Sequence, residues 1–308
     1  MKIIECVPNF SEGRNQDIIA AIADVFISFV EIRLIDFSGD ADHNRSVFSI
    51  LGKPKDVIDA TLAAAGKAIE LIDMRAQMGV HPRLGAVDVV PFVPLLDAGM
   101  EEAVRLAYFF GRQFFQKFGV PVYFYGEAAM IPRRKILANV RRGGYEALPD
   151  KMADPLESPD IGGRRFDART GATAVGARAP LVAYNNNLNC SDLIIAKKIA
   201  SCIREKNGGL KHLEAIGVEL KSRGLVQVSM NLTNCGETPL KMVYDLVKSL
   251  ADDQGIEILE SELIGLAPQC AFAGTTPEAL KMTGFGHERL LEAHLSEFTG
   301  MESLFHIG

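Results

Sequence analysis

The chain has 308 residues, enough for one large hydrophobic core or two modest ones, and its 48% hydrophobic and 23% charged content is that of a globular protein. A formal net charge of −6 and the lack of any long Lys/Arg run argue against a general nucleic-acid binder, which carries a basic surface. The five cysteines (Cys6, Cys190, Cys202, Cys235, Cys270) are odd in number and never at C-x-x-C spacing, so reduced thiols and a cytoplasmic location are expected rather than a disulfide framework.

The N-terminal MKIIECVPNF lacks the apolar stretch of a signal peptide, and residues 2–7 read as a short strand. A helix over 14–28 follows, with Ile18, Ile19, Ile22 and Phe26 at helical spacing. Strands are predicted at 30–37 and 45–51, then a helix at 54–74 opened by Pro54, whose missing N–H costs nothing in a first turn. A strand at 85–94, a helix at 99–118, a strand at 121–125 and a helix at 132–142 complete the first part. VDVVPFVPLL is too short and too interrupted by proline to span a bilayer, so no membrane association is expected. Residues 143–171 have no sustained period and read as a long loop between two halves. The second part reads as strand 180–187, helix 191–206, strands 212–219 and 225–232, helix 238–253, strand 257–266 and a terminal helix near 287–298. The order β-α-β-β-α-β thus occurs twice. It predicts an α/β (α+β) protein of two ferredoxin-like subdomains, 1–178 and 179–308, with a ligand groove between their sheets.

Four stretches carry chemistry-bearing residues. In GVHPRLGAVD (79–88), Pro82 pushes His81 towards extended backbone, and Gly79 and Gly85 permit turns on either side. His81 is there a general acid or base, or a histidine that caps a helix end or is hydrogen-bonded within a loop; Arg83 is close by and Asp88 lies in the strand. In DFSGDADHNRSV (36–47), Asp36, Asp40, Asp42 and His43 are either divalent-ion ligands or a polar turn, and Arg45 opens the next strand within reach of an anionic ligand. Strand alternation puts Asn185 and Asn187 on one face, and Gln227, Ser229 and Asn231 on one face. Such amides suit either a solvated sheet surface or a groove that reads a ligand rich in donors and acceptors. In GGRRFDARTGATAVGAR, Arg164, Arg165, Arg169 and Arg178 among glycines make a carboxylate clamp or a solvated linker. No G-x-G-x-x-G, Walker A or G-x-S-x-G pattern occurs in a supporting context.

Taken together, ECVPNFSEGR (5–14), HNRSV (43–47), HPRLGAVDVVPFVP (81–94), PVYFYGEAA (121–129), GGYEAL (143–148), PDIGGRRFDARTGATAVGAR (159–178), NNNLN (185–189) and QVSMNLT (227–233) resemble the formiminotransferase family, in order over roughly residues 1 to 266. That resemblance implies a one-carbon transferase moving the formimino group from N-formimino-L-glutamate to N5 of tetrahydrofolate, in histidine degradation, without a cyclodeaminase domain. It implies two α/β subdomains, a homodimer, tetrahydrofolate as co-substrate and no metal. The family's catalytic histidine falls on His81, and its folate-binding loop on Gly162, Gly163, Arg164, Arg165, Phe166, Asp167, Ala168, Arg169, Thr170 and Gly171. Arg45, Arg83, Arg164 and Arg178 are the expected carboxylate partners, and Asn185, Asn187, Gln227 and Asn231 the expected readers of the pterin. Rival readings keep the fold with another donor such as formiminoglycine, or make the chain a non-catalytic folate-binding protein. A metal-dependent hydrolase built on Asp40, Asp42 and His43 is a further one.

Overall fold

The computed structural model describes residues 1–80 and 82–299. The chain divides into two compact units, Met1–Arg178 and Ala179–Gly308.

In the first unit, β1 (Ile4–Cys6) and β2 (Asn9–Phe10) are followed by α1 (Gln16–Ile27), β3 (Ile32–Asp40), β4 (Arg45–Gly52), α2 (Pro54–Leu71) and β5 (Val87–Pro94). The expected single strand over 2–7 is instead a pair broken at Pro8, which has no N–H to give a ladder. The pair lies between β4 and β5, and β3 pairs with β4, all antiparallel. This is the split βαβ arrangement with its first strand in two pieces. The sheet then continues beyond the repeat. After α3 (Met100–Phe118), β6 (Val122–Gly126) and β7 (Thr173–Ala177) add parallel strands, with β7 between β5 and β6, for seven in all.

Local signals set the helix ends. Asn15 caps α1 by accepting from the backbone of Asp17 and Ile18, and Gly119, at φ +69°, ends α3 in the left-handed conformation. The long helices cover one sheet face, where Ile22, Phe26, Ala64 and Phe110 meet Phe10, Phe48 and Phe92. Each fully buried ring contributes roughly 1.5–3 kcal/mol.

The segment expected as a loop holds more structure than its composition predicts. The helix expected at 132–142 is a 3₁₀ turn, Pro132–Lys135, and one helical turn, α4 (Leu137–Val140). A further helix, α5 (Leu148–Ala153), lies inside the stretch read as structureless. Leu148, Met152 and Val140 bury against Leu84, Val89, Tyr123 and Ala174 in a small second core on the other sheet face. Strand β7 was hidden in the Gly/Arg-rich linker because TAVGA is buried on both faces, so it shows no alternation. Gly176 is required there, since a Cβ would come within 2.5 Å of the Tyr125 ring.

The second unit runs β8 (Val182–Leu188), α6 (Leu193–Ile203), β9 (Leu213–Leu220), β10 (Leu225–Leu232), α7 (Leu240–Asp252) and β11 (Ile258–Ile264). Its four-stranded antiparallel sheet has the ferredoxin-like order β11-β8-β10-β9. Both helices pack on one face, against Tyr184, Val226, Val228 and Met230. The last helix among the described residues, α8 (Leu291–Thr299), follows a 3₁₀ turn over His287–Arg289. Among the described residues, no helix is long and apolar enough to cross a membrane.

Candidate active site

His81 lies outside the described residues; the chain on either side of it is closely held. On one side the chain presses against the turn between β3 and β4. A Cβ on Gly79 would sit 2.3 Å from the carbonyl oxygen of His43, and the Val80 N–H donates to the Asp42 carbonyl at 3.4 Å. On the other side, Gly85 pairs with Gly171, and a Cβ on Gly85 would lie 2.4 Å from the carbonyl oxygens of Thr170 and Ala172. Close backbone approach therefore explains both glycines of the motif. Asn44, buried at φ +49°, binds the turn together. Its side chain accepts from the Gly13 N–H at 3.0 Å and donates to Gln77 at 2.6 Å, and Gln77 donates to Glu12 at 3.0 Å.

In the same turn His43 and Asp40 form a pair, with Nδ1 2.7 Å from Oδ2 and the His43 N–H donating to Oδ1 at 2.8 Å. Burial works to raise the Asp40 carboxyl, but the hydrogen bonds from His43 prevail and hold it below the usual carboxylate range. Among the described residues, no three His, Cys, Asp or Glu side chains converge as a metal-holding group.

The sheet face away from the long helices carries buried charged and polar groups. Strand alternation places Glu5, Asn9, Arg45 and Tyr125 there, opposite in facing to Cys6, Phe10, Phe48 and Phe124. Arg45 is next to Arg141, Asp88 and Tyr125; burial and the like charge of Arg141 push its guanidinium down to about 9, still cationic at neutral pH. Asp88 is buried between loop and strand. It accepts from the Leu84 N–H at 2.9 Å and pairs with Arg141 at 2.5 Å. Burial raises the Tyr125 hydroxyl, opposed by Arg178 and Arg141, and it raises the Glu5 carboxyl against the pull of Arg178. Three guanidinium groups, those of Arg45, Arg141 and Arg178, thus meet a partly desolvated face, an arrangement suited to carboxylates.

The loop over 162–171 docks against the His81 segment. Its residues Gly162, Gly163 and Gly171 have positive φ, which few other residues adopt. The Met74 N–H donates to the Arg169 carbonyl and the Ala86 N–H to the Thr170 carbonyl, and Tyr145 bonds the Ala168 carbonyl and packs on Phe166. Arg164, Arg165, Asp167, Ala168 and Arg169 are exposed, and the Arg169 guanidinium donates to the Glu70 carbonyl at 2.7 Å. Arg83 is likewise engaged by the protein itself: it donates to the Gln77 carbonyl at 2.8 Å and to Glu146 at 2.7 Å, over the Tyr145 ring. The structure therefore brings together the His81 segment, Arg45 and the loop, and gives Arg83 a place in holding the segment.

In the second unit, Asn185, Asn187 and Gln227 are buried on the sheet face away from α6 and α7, while Asn231 is exposed near the strand end. The Asn187 amide lies among Gln227, Glu260 and Glu262. Hydrogen bonds from Asn187 and Arg223 hold Glu260 below the usual carboxylate range.

The profile of the formiminotransferase domain, N-terminal subdomain, matches residues 3–178, and that of the formiminotransferase domain matches residues 183–277. A glutamate formimidoyltransferase of Thermoplasma acidophilum is 42% identical over 98% of this chain and 100% of its own. One of Streptococcus pyogenes serotype M1 is 41% identical over 96% of this chain and 99% of its own. The chain belongs to the formiminotransferase family. A formimidoyltransferase-cyclodeaminase of Gallus gallus is 43% identical over 88% of this chain but 51% of its own, so the shared part is about half of that protein.

Within this formiminotransferase fold, the sequence alone left Glu5, Tyr125 and Arg141 unassigned. Glu5 and Tyr125 sit in strands read as ordinary sheet, where the signal was a polar or hydroxyl group at an inward position of an apolar run. Arg141 gave no signal, because it follows a single helical turn and reaches Asp88 across 53 residues of sequence.

Proposed function

We propose that this formiminotransferase transfers the formimino group from N-formimino-L-glutamate to N5 of tetrahydrofolate. The observation that carries this reading is near-full-length identity of 41–42% to two glutamate formimidoyltransferases. The side-chain chemistry agrees with it: a cationic sheet face for a donor with two carboxylates, and amide-rich strands for a flat, polar co-substrate. In the reaction, N5 attacks the amidine carbon and a tetrahedral intermediate forms. The N5 proton leaves, the glutamate nitrogen gains a proton, and its bond to carbon breaks, giving 5-formiminotetrahydrofolate and L-glutamate.

His81 is the residue we assign to both proton transfers, since a neutral imidazole accepts the first proton and returns it. Arg45 and Arg178 are assigned to the substrate carboxylates and the 162–171 loop to folate, with Asn185, Asn187, Gln227 and Asn231 at the pterin. The assignment covers both subdomains, 1–178 and 179–308, in a cytoplasmic homodimer serving histidine degradation. Arg83, already paired with Glu146, acts by holding the His81 segment.

Purified protein incubated with formiminoglutamate and tetrahydrofolate should form 5-formiminotetrahydrofolate, with formiminoglycine as a competing donor. His81→Ala should lower kcat by about 10²-fold or more, the usual worth of a positioned acid–base group. Turnover of that variant at the wild-type rate removes His81 from the mechanism; preference for formiminoglycine replaces the donor.

A further inference from the structure

The helix-free face of the second sheet holds a carboxylate that the assignment above does not use. Register aligns Glu260 with Asn187 and Gln227 in one cross-strand row, and Glu262 with Asn185 and Ser229 in the next. Asn187 and Gln227 are 0% and 1% exposed, and their amide hydrogens are spent in a definite way. Asn187 donates to Glu260 Oε1 at 3.0 Å and to Glu262 Oε1 at 2.7 Å. Gln227 donates to Asn187 Oδ1 at 2.8 Å and to Glu262 Oε2 at 3.2 Å. Each oxygen of Glu262 thus accepts one buried donor. That fixes the orientation of its carboxylate and leaves lone pairs for a ligand. Beside it, Gln227 Oε1 is buried with no hydrogen-bond partner. A native structure rarely leaves such an acceptor unserved, and it marks a donor that arrives with a ligand.

Charge separates the two carboxylates. Arg223 lies 2.5 Å from Glu260 and 3.6 Å from Glu262, so Glu260 holds the cation closely and Glu262 only at a distance. The site therefore offers three acceptor atoms, two of them on a charged and oriented carboxylate. The matching group is planar, carries neighbouring N–H donors and has no negative charge of its own near them. Formiminoglutamate has an amidine with N–H groups, but its two carboxylates would face two glutamates. The pterin ring is uncharged, and its edge presents the N3–H beside the two hydrogens of the 2-amino group.

We propose that Glu262, oriented by Asn187 and Gln227, recognises the N3–H and 2-amino edge of the pterin ring and so determines which pteridines are accepted. The inference rests on tetrahydrofolate being the co-substrate and adds the residue that selects it. A carboxylate meeting paired donors makes the stronger, charge-assisted kind of hydrogen bond.

The test compares tetrahydrofolate with its 2-desamino-2-methyl analogue, by calorimetric binding and by KM, in wild type, Glu262→Gln and Glu260→Gln. Wild type should prefer tetrahydrofolate on the order of 10- to 100-fold, the worth of losing hydrogen bonds to a charged group. Glu262→Gln should lose most of that preference with KM for formiminoglutamate unchanged, and Glu260→Gln should keep it. Equal discrimination by Glu262→Gln and wild type overturns the inference while leaving the transferase reading intact. So does a wild type that accepts both pteridines alike, a result that needs no variant to fold. A wild type that neither binds nor uses tetrahydrofolate overturns the transferase reading and this inference with it.

Discussion

Replacing Asp88 by Asn tests whether the charge beside the His81 segment is structural. Asp88 is 1% exposed, and the Arg141 side chain that pairs with it at 2.5 Å is 10% exposed. Breaking a buried pair by removing one partner costs about 3–5 kcal/mol, because the remaining charge stays desolvated. Two features of the site decide where in that range Asp88→Asn falls. Asn keeps an oxygen for the Leu84 N–H, so that bond survives and the cost moves towards the lower end, about 3 kcal/mol. Against this, Arg45 beside Arg141 turns an attraction into an unrelieved like-charge contact, so the cost does not vanish. For a unit of this size about 3 kcal/mol lowers Tm by roughly 6–12 °C, readable by scanning calorimetry. Pairing Asp88→Asn with Arg141→Met should recover most of the loss, since the buried guanidinium left without its carboxylate is removed while the oxygen for the Leu84 N–H stays. A single variant that costs less than about 1 kcal/mol, or a double variant no better than the single, refutes the reasoning.

Two further outcomes follow from the same region. Gly85→Ala should destabilise by about 1–3 kcal/mol in urea unfolding, because its Cβ would meet two carbonyl oxygens at 2.4 Å and backbone must move; unchanged stability would mean that the strand-to-loop junction is looser than the structure places it. Glu5 has its carboxyl raised by burial, only partly countered by Arg178, so the native state holds its proton more tightly than the unfolded chain does. Its contribution is therefore full below the unfolded pKa and is lost as pH rises through the folded one. Glu5→Gln should accordingly gain stability relative to wild type as pH rises above the ordinary carboxylate pKa of about 4, and a difference independent of pH would show that burial does not shift the group.

Much of the local structure is written in short-range patterns. The apolar spacing of α1 and α2, the Asn15 cap, Pro54 at a first turn and the alternation of β10 each depend on residues within a few positions, and so the doubled β-α-β-β-α-β order was legible. Strand β7 was not, because a strand buried on both faces loses its period, and α5 was not, because its helix is held by packing under Leu84 and Tyr123 rather than by its own pattern.

The candidate site divides the same way. The residues of GVHPRLGAVD were recognisable by type, as were the arginines and the amide strands. Why Gly79 and Gly85 must be glycine depends on the carbonyl oxygens of His43, Thr170 and Ala172, which arrive from elsewhere in the chain. That Arg83 is paired with Glu146, that Asp88 meets Arg141, and that Gln227 is left with a buried, unserved oxygen are equally matters of tertiary contact. The sequence by itself determined which elements form and which side chains are chemically competent, because propensity and period act over a few residues. Which of those side chains the fold consumes in holding itself together, and which it leaves facing a ligand, only the tertiary structure decided. Burial and pairing join residues far apart in the chain, 99 positions in the case of Arg169 and Glu70, and no local pattern records them.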